Sequence, residues 1–177
     1  MRTDAKVTAI RSTREDPAMA VIVRPVTEAD LPALREQQVR PELGLVDEHF
    51  AAARAGTLIF AVAVEGEELL GTALLDFGPE ALVPELRNMF VQPRARRRGA
   101  GRALTSWVED QARSAGYREV HLAVDPNNEK AIPLYVSLDY LPTGEHILVE
   151  TPEVPQVVEG LEPSRHYAIY RKSLFTS

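Results

Sequence analysis

The spacing of hydrophobic residues alternates along the chain between strand-like runs and helix-like repeats. Runs rich in β-branched and aromatic residues, bounded by glycine, proline or polar turns, are typical of strands. They predict strands at 20–26, 57–65, 68–77, 85–92, 119–124, 140–149 and 165–174. Apolar residues that recur every three or four positions are typical of helices. They predict helices at 27–38, 46–55, 102–116 and 131–138.

This order of elements predicts an α/β fold in one domain. A strand, two helices, three strands, a helix, a strand, a helix and two strands give a mixed sheet with helices on both faces. The chain of 177 residues is long enough to fill one core. We assign residues 20–177 to this domain. Residues 1–19 contain a polar stretch without periodicity and are expected to form a flexible tail.

The segment from residue 85 to residue 104 predicts an anion-binding site. Its apolar strand stops at Pro93, a basic loop follows, and Gly99 and Gly101 lead into a helix. Glycine has no Cβ, so a phosphate can approach the backbone closely there. The first N–H groups of a helix are unpaired and lie at the positive end of its dipole. A strand, a glycine loop and a helix in this order therefore favour a phosphate ligand.

Two common phosphate-binding motifs do not match this loop. The ATP- and GTP-binding loop needs a lysine directly after its last glycine, and the dinucleotide fingerprint needs a third glycine. The chain has Arg102 and Leu104 at those positions. What remains is RxxGxG, formed by Arg96, Gly99 and Gly101. In its strand–loop–helix context it resembles the pyrophosphate-binding signature of the GNAT N-acetyltransferase superfamily.

A second motif strengthens this resemblance. Asn128, Tyr135 and Tyr140 follow one another as in the superfamily pattern N-x-x-A-x-x-x-Y-x-x-x-G-F. Two motifs in the expected order are more specific than either motif alone. Asp139 replaces the usual glycine and Tyr140 the usual phenylalanine, both at a helix-to-strand corner. The resemblance covers roughly residues 20–177.

The resemblance implies both a fold and a donor site. GNAT proteins have a mixed, mostly antiparallel sheet of six to seven strands, with helices on both faces and a splayed pair of central strands. The pantetheine arm of acetyl-CoA fills that gap, which implies acetyl-CoA as the acyl-donor cosubstrate of this chain. Asn128 could also cap its helix, and the two roles are compatible. The implied cofactor-binding residues are Phe90, Val91, Arg96, Arg97, Arg98, Gly99, Ala100, Gly101, Arg102, Asn128 and Tyr135.

Acetyl transfer to an amine needs a base for the amine and benefits from an acid for the departing thiolate. The resemblance implies Tyr135 as the acid, with simple packing of its helix on the sheet as the alternative. It implies Glu85, six positions before Val91, as the base. The alternative for Glu85 is a solvated carboxylate at the end of a strand. His121 is a rival base by residue type only, since it lies outside both motifs.

Composition argues against several other classes of protein. The absence of cysteine excludes disulfides, a cysteine nucleophile and thiolate metal sites. The four histidines are scattered, so we expect no metal. The net charge of −6 argues against a nucleic-acid partner. No apolar run reaches the roughly 20 residues that a membrane helix needs, and we expect a cytoplasmic protein without a membrane partner.

The acceptor is the part of the function on which the sequence says least. Residues 143–163 carry five glutamates and no lysine or arginine. This segment is either a solvated acidic loop or part of an acidic rim that attracts a cationic amine, such as a polyamine, an aminoglycoside or a basic peptide. The early helices would add carboxylates to that rim, from Glu28, Asp30, Glu36, Asp47 and Glu48.

We therefore expect an N-acetyltransferase that moves an acetyl group to a primary amine by direct transfer in a ternary complex. No cysteine is present to carry a covalent intermediate. The alternatives are a non-catalytic acyl-CoA-binding regulatory module and a GNAT enzyme that uses another acyl group. The resemblance leaves a homodimer open.

Overall fold

The computed structural model describes residues 20–79, 81–149 and 165–175. The strands are β1 Ile22–Pro25, β2 Leu58–Glu65, β3 Glu68–Asp76, β4 Glu85–Val91, β5 Glu119–Val124, β6 Leu141–Leu148 and β7 His166–Ser173. The helices are α1 Leu31–Glu36, α2 Leu45–Arg54, α3 Ala100–Ser114 and α4 Ala131–Ser137. The strands form one sheet in the order β1-β2-β3-β4-β5-β7-β6. The predicted mixed α/β fold is confirmed.

The centre of the sheet is split between β4 and β5. All other neighbouring strands are antiparallel, whereas β4 and β5 are parallel and share a single register pair, Glu85 with His121. Beyond this pair the two strands diverge, because β4 continues to Val91 and β5 to Val124 without further pairing. We call the space between residues 86–91 and 122–124 the central gap. The expected splayed strand pair is confirmed.

Helices cover both faces of the sheet, each over its own core. On one face, which we call the α3 face, Leu86 and Leu122 pack with Leu104 of α3. On the other, the α1/α2 face, Phe60 and Leu74 belong to a cluster with residues of α1 and α2. Burial of each such side chain contributes about 1.5–3 kcal/mol to folding. The two cores fix which residues of each strand point to which side.

The start of α1 is stabilised by a buried carboxylate. Asp30 accepts hydrogen bonds from both terminal nitrogens of Arg24, at 2.7 and 2.9 Å, and from the Thr27 N–H at 2.7 Å. The Arg24 guanidinium and the Thr27 donors lower the pKa of Asp30 to about 2. The helix predicted for 27–38 begins as a 3-10 turn at Glu28–Asp30 and continues as α1. Thr27 and Asp30 form a capping box at this helix start.

Within the described ranges, no helix combines the length and the apolar character that a bilayer crossing requires. The expected tail at residues 1–19 lies outside the described residues, as do residues 150–164 of the acidic segment.

Candidate active site

The loop between β4 and α3 presents a row of unpaired backbone donors. Gly99 lies in the left-handed region, with φ +82°, and α3 begins at Ala100. The Ala103 N–H closes the first helical hydrogen bond, to the Gly99 carbonyl at 2.9 Å. Within the part of the chain that the structure describes, the N–H groups of residues 97–102 donate no hydrogen bond. We call these six N–H groups the donor loop.

Two arginines of this region are held by the β2–β3 hairpin. Arg98 forms ion pairs with Glu65 and with Glu68, the latter with an Nη2–Oε2 distance of 3.1 Å. Arg94 lies 3.2 Å from Glu68 through its Nε. These contacts anchor the loop on the hairpin. Arg98 was predicted to bind the cofactor; its guanidinium pairs with these carboxylates, and its backbone N–H belongs to the donor loop.

The other predicted arginines differ in their contacts. Arg96 and Arg97 are exposed and have no ion-pair or hydrogen-bond partner for their side chains among the described residues. Arg102 donates a hydrogen bond from Nη2 to the Ser137 Oγ of α4, at 3.1 Å. This bond leaves the charge of Arg102 uncompensated. The donor loop therefore carries positive charge from Arg96, Arg97 and Arg102.

Two glycines allow the backbone to approach closely around β4. A Cβ on Gly101 would lie 3.4 Å from the Leu134 Cδ2 and 3.7 Å from the Val91 Cγ2, so α3, α4 and β4 converge there. A Cβ on Gly71 of β3 would lie 2.5 Å from the Phe90 carbonyl oxygen. Gly71 thus sets the position of the β4 segment predicted to pair with pantetheine. Sequence reasoning missed Gly71, although a lone glycine in an apolar strand is a signal of close approach.

A β-bulge redirects the side chains of β4 near its end. One residue of β3 opposes both Asn88 and Met89, and Asn88 has a φ of +51°. Met89 packs against the core on the α3 face. Asn88 and Phe90 both face a cleft on the α1/α2 face. The sequence pattern did not reveal this bulge.

That cleft lies between α1, α2 and strands β2 to β4 and has a volume of about 100 Å³. Its lining is apolar or uncharged for the most part, with Arg40 and His49 as the basic groups. No aspartate or glutamate occurs among the described residues that line it. The lining residues are Leu34, Gln37, Gln38, Val39, Arg40, Leu45, Val46, His49, Phe60, Gly71, Thr72, Leu74, Asn88, Phe90 and Gln92. We call it the acceptor cleft, after the role that we propose for it.

Two of the five carboxylates expected to form an acidic rim have other contacts. Asp30 is buried against Arg24, and Asp47 forms an ion pair with Arg35 at 2.6 Å. Glu28, Glu36 and Glu48 are exposed. The described residues contain no cluster of three histidines or carboxylates that could hold a metal ion.

Tyr135 is buried on α4 beside the α3 core. Its ring meets the Tyr140 ring edge-on, with centroids 5.9 Å apart. Its hydroxyl has no hydrogen-bond partner among the described residues. Burial raises the pKa of this phenol, which keeps the hydroxyl protonated at neutral pH. A proton donor is thus held in place without a competing internal acceptor.

Asn128 caps the helix that carries Tyr135. Its Oδ1 accepts hydrogen bonds from the Ala131 N–H at 3.0 Å and the Lys130 N–H at 3.3 Å. The capping role expected for Asn128 is confirmed. Pro133 is the third residue of α4, where the N–H has no helical partner in any case. The hydrogen bond that a proline inside a helix normally removes is therefore not lost here.

Glu85 is buried at the closed end of the central gap. Only 8% of the residue is exposed, and its Oε2 accepts a hydrogen bond from the Leu82 N–H at 3.1 Å. The alternative of a solvated carboxylate therefore does not hold. His121 is the register partner of Glu85. The sequence interpretation set His121 apart from the site, and the structure corrects this, because parallel pairing joins residues distant along the chain.

Asp125 is a further polar residue near the central gap, and the sequence analysis did not single it out. It follows β5 at the open end of the central gap and is 1% exposed. Its Oδ1 accepts a hydrogen bond from the Asn127 N–H at 2.9 Å. Its Oδ2 is buried and has no hydrogen-bond partner among the residues that the structure describes. The turn signal in the sequence concealed this buried carboxylate.

Comparisons with known proteins agree with this geometry. The profile of the acetyltransferase (GNAT) family matches residues 23–140. A segment of 90 residues is 32% identical to a mycothiol acetyltransferase of Beutenbergia cavernae, and it covers 51% of this chain and 30% of that protein. The chain thus spans less than a third of the length of that relative.

Solved structures show the same fold. An N-acetyltransferase from Staphylococcus aureus Mu50 aligns with a TM-score of 0.69 at 17% identity, over 88% of this chain and 99% of that one. The acetyltransferase yncA from Salmonella typhimurium, solved with its cofactor acetyl-CoA, aligns with a TM-score of 0.66 at 19% identity, over 89% and 96%. With the family profile covering most of the domain, this chain belongs to the acetyltransferase (GNAT) family.

Proposed function

We propose that the protein is an acetyl-CoA-dependent N-acetyltransferase that transfers the acetyl group directly to a primary amine in a ternary complex. The observation that carries this proposal is the central gap, with the unpaired donor loop following the end of β4. The acetyl-CoA held by the similar yncA structure supports the choice of cosubstrate. Membership of the family supports the reaction class.

The donor side binds acetyl-CoA mainly through backbone groups. The pyrophosphate accepts hydrogen bonds from the N–H groups of residues 97–102, which include Ala100, and interacts with Arg96, Arg97 and Arg102. The pantetheine amides pair with the backbone of Phe90 and Val91 in the way that an added strand would.

Two buried side chains carry the proton transfers. Glu85 accepts a proton from the acceptor ammonium, and the free amine then attacks the acetyl carbonyl carbon. The new C–N bond forms and the C–S bond breaks, while the Tyr135 hydroxyl donates a proton to the departing thiolate. The second proton that the nitrogen loses restores the Tyr135 hydroxyl and leaves the neutral amide. Tyr135 suits this role because its hydroxyl has no competing acceptor among the described residues.

The acceptor cleft favours an amine on an apolar, uncharged body. Burying a second positive charge beside apolar walls would be costly, because the described lining has no carboxylate to pair it and Glu42 already pairs Arg40 at 2.9 Å. The cationic acceptor inferred from the acidic segment stays a prediction. A comparison of kcat/KM for 2-phenylethylamine with kcat/KM for spermidine distinguishes the apolar acceptor from the cationic one. A preference for spermidine would contradict the apolar acceptor.

The test of the donor site compares two glycines that flank the same helix. Gly99 and Gly116 flank α3 with similar φ values, +82° and +91°, and a Cβ at either position meets nothing within 4 Å. Aspartate at either position therefore has similar backbone strain, but only the Gly99→Asp side chain meets the donor loop. We expect calorimetry to show acetyl-CoA binding that is weaker by about 100-fold in Gly99→Asp and unchanged in Gly116→Asp.

Three results would decide against this proposal. A folded wild-type protein that does not bind acetyl-CoA would remove the donor site. Binding without acetylation of any amine in a panel of aryl-alkylamines, polyamines and peptide N-termini would favour a non-catalytic acyl-CoA-binding module. Faster turnover with propanoyl-CoA than with acetyl-CoA would favour a different acyl group.

A further inference from the structure

The closed end of the central gap brings two ionisable side chains together from different strands. Leu86 and Leu122 point into the core on the α3 face. Because side chains alternate along a strand, their neighbours Glu85 and His121 project from the opposite face. The two residues are Cα register partners and therefore lie side by side on the α1/α2 face.

His121 has one ring nitrogen turned inward and one turned toward the surface. Its Nδ1 is buried and has no hydrogen-bond partner among the described residues. Its Nε2 lies 3.9 Å from the Glu119 Oε1. Arg171 of β7 is the register partner of His121 on its other side, and its Nε lies 3.5 Å from the Glu119 Oε2. Glu119 and Arg171 are thus charged neighbours of His121 besides Glu85. Beyond Glu85 lie its β3 register partner Asp76 and the Arg87 that pairs with Asp76.

The exposed fraction rises from Glu85 through His121 to Glu119, and we call these three residues a row. Glu85 is 8% exposed, the His121 side chain 20% and the Glu119 side chain 46%. The row therefore leads from the buried carboxylate to solvent within the span of three residues on two strands.

The proposed reaction must release one proton for every turnover. An acceptor ammonium has three N–H protons: one stays on the amide, one replaces the proton that the thiolate takes up from Tyr135, and one leaves. A buried Glu85 that accepted the last proton would need to pass it on before the next turnover.

We propose that His121 is the proton-relay residue for Glu85, an inference that rests on the proposed function. The Nδ1 of neutral His121 accepts the proton from Glu85, directly or through one water, which restores the carboxylate. The imidazolium then releases its Nε2 proton toward Glu119 and solvent. Each step moves one proton and needs no further reactant.

The first test compares His121→Ala with His146→Ala, which removes an exposed histidine of β6. With acetyl-CoA and 2-phenylethylamine, we expect kcat of His121→Ala to fall by about 10- to 100-fold, with KM for acetyl-CoA unchanged. Imidazole added to the buffer should restore most of the lost rate, and His146→Ala should match wild type. A wild-type kcat in His121→Ala, or a loss that imidazole does not restore, would overturn the relay.

A second test does not depend on the acceptor. The ring resonances of His121 should shift in Glu85→Gln and stay in place in Glu145→Gln, which changes an exposed glutamate of β6. Unchanged resonances in Glu85→Gln would show that the two side chains do not communicate and would overturn the relay. A protein that binds acetyl-CoA but acetylates no amine would contradict the proposed function, and the resonances would still decide whether Glu85 and His121 are coupled.

Discussion

The donor loop follows the end of β4, whereas the acceptor cleft lies on its α1/α2 face, and the two are built in different ways. The donor loop is a continuous segment, residues 97–102, that offers backbone N–H groups. The acceptor cleft takes side chains from two helices and three strands, between Leu34 and Gln92. A site made of consecutive backbone groups is specified by local sequence, whereas one made of distant side chains is specified by packing. Substitutions in the donor loop and in the acceptor cleft should therefore have separable effects.

The largest effect is expected where this separation breaks down, at Gly71. A methyl group there would collide with the Phe90 carbonyl oxygen and displace β4, which serves both sites. We expect Gly71→Ala to lower the free energy of unfolding by about 3 kcal/mol and to weaken both acetyl-CoA binding and turnover. Urea unfolding checks the stability, with Gly101→Ala as the control because its nearest contact is 3.4 Å. Equal stabilities would contradict the role of Gly71.

Two neighbouring tyrosines should separate chemistry from stability. Tyr135→Phe removes a hydroxyl without a partner among the described residues, so kcat should fall by about 100-fold with stability nearly unchanged. Tyr140 instead donates a hydrogen bond at 3.0 Å to the buried Glu109, which Lys172 pairs at 2.9 Å. Tyr140→Phe should lower the free energy of unfolding by about 2 kcal/mol and leave kcat unchanged. Steady-state kinetics and urea unfolding of both variants test this contrast. Similar changes in kcat and in the free energy of unfolding for the two variants would contradict it.

A somewhat smaller effect is expected on the acceptor side, at Asp30. Its pKa is lowered to about 2 in the folded protein, so its stabilisation is present above the unfolded pKa near 4 and is lost as pH falls from about 4 to about 2. Asp30→Asn should lower the free energy of unfolding by about 2 kcal/mol at pH 7 and match wild type near pH 2. Acetyl-CoA affinity should not change. A stability difference that is independent of pH would contradict this assignment.

The smallest effect should distinguish the arginines of the donor loop. Arg98 is held by Glu65 and Glu68, so Arg98→Ala should weaken acetyl-CoA binding by about twofold at most. Arg97 has no such partner in the described ranges, and Arg97→Ala should weaken binding by about tenfold. Calorimetry on both variants makes the comparison, and an equal loss would mean that Arg98 leaves the hairpin to bind phosphate.

The same contrast explains what could be predicted from sequence. Gly99 and Tyr135 were predicted as site residues because each sits in a short motif. The splayed strands came from family resemblance alone. The pairing of Glu85 with His121 could not be predicted, since the register of two parallel strands depends on how the helix that connects them, α3, packs on the sheet. The lining of the acceptor cleft depends on how α1 and α2 pack on the sheet, which the periodicity of apolar residues does not specify.

The central gap also bears on how the protein behaves in concentrated solution. Strand edges with unpaired N–H and C=O groups invite pairing with other chains, and sheets normally confine such edges to their margins. Here two of them lie in the middle of the sheet, along β4 and β5. A cosubstrate that occupies the gap would cover both edges, so we expect the ligand-free protein to aggregate faster on storage than the protein kept with acetyl-CoA.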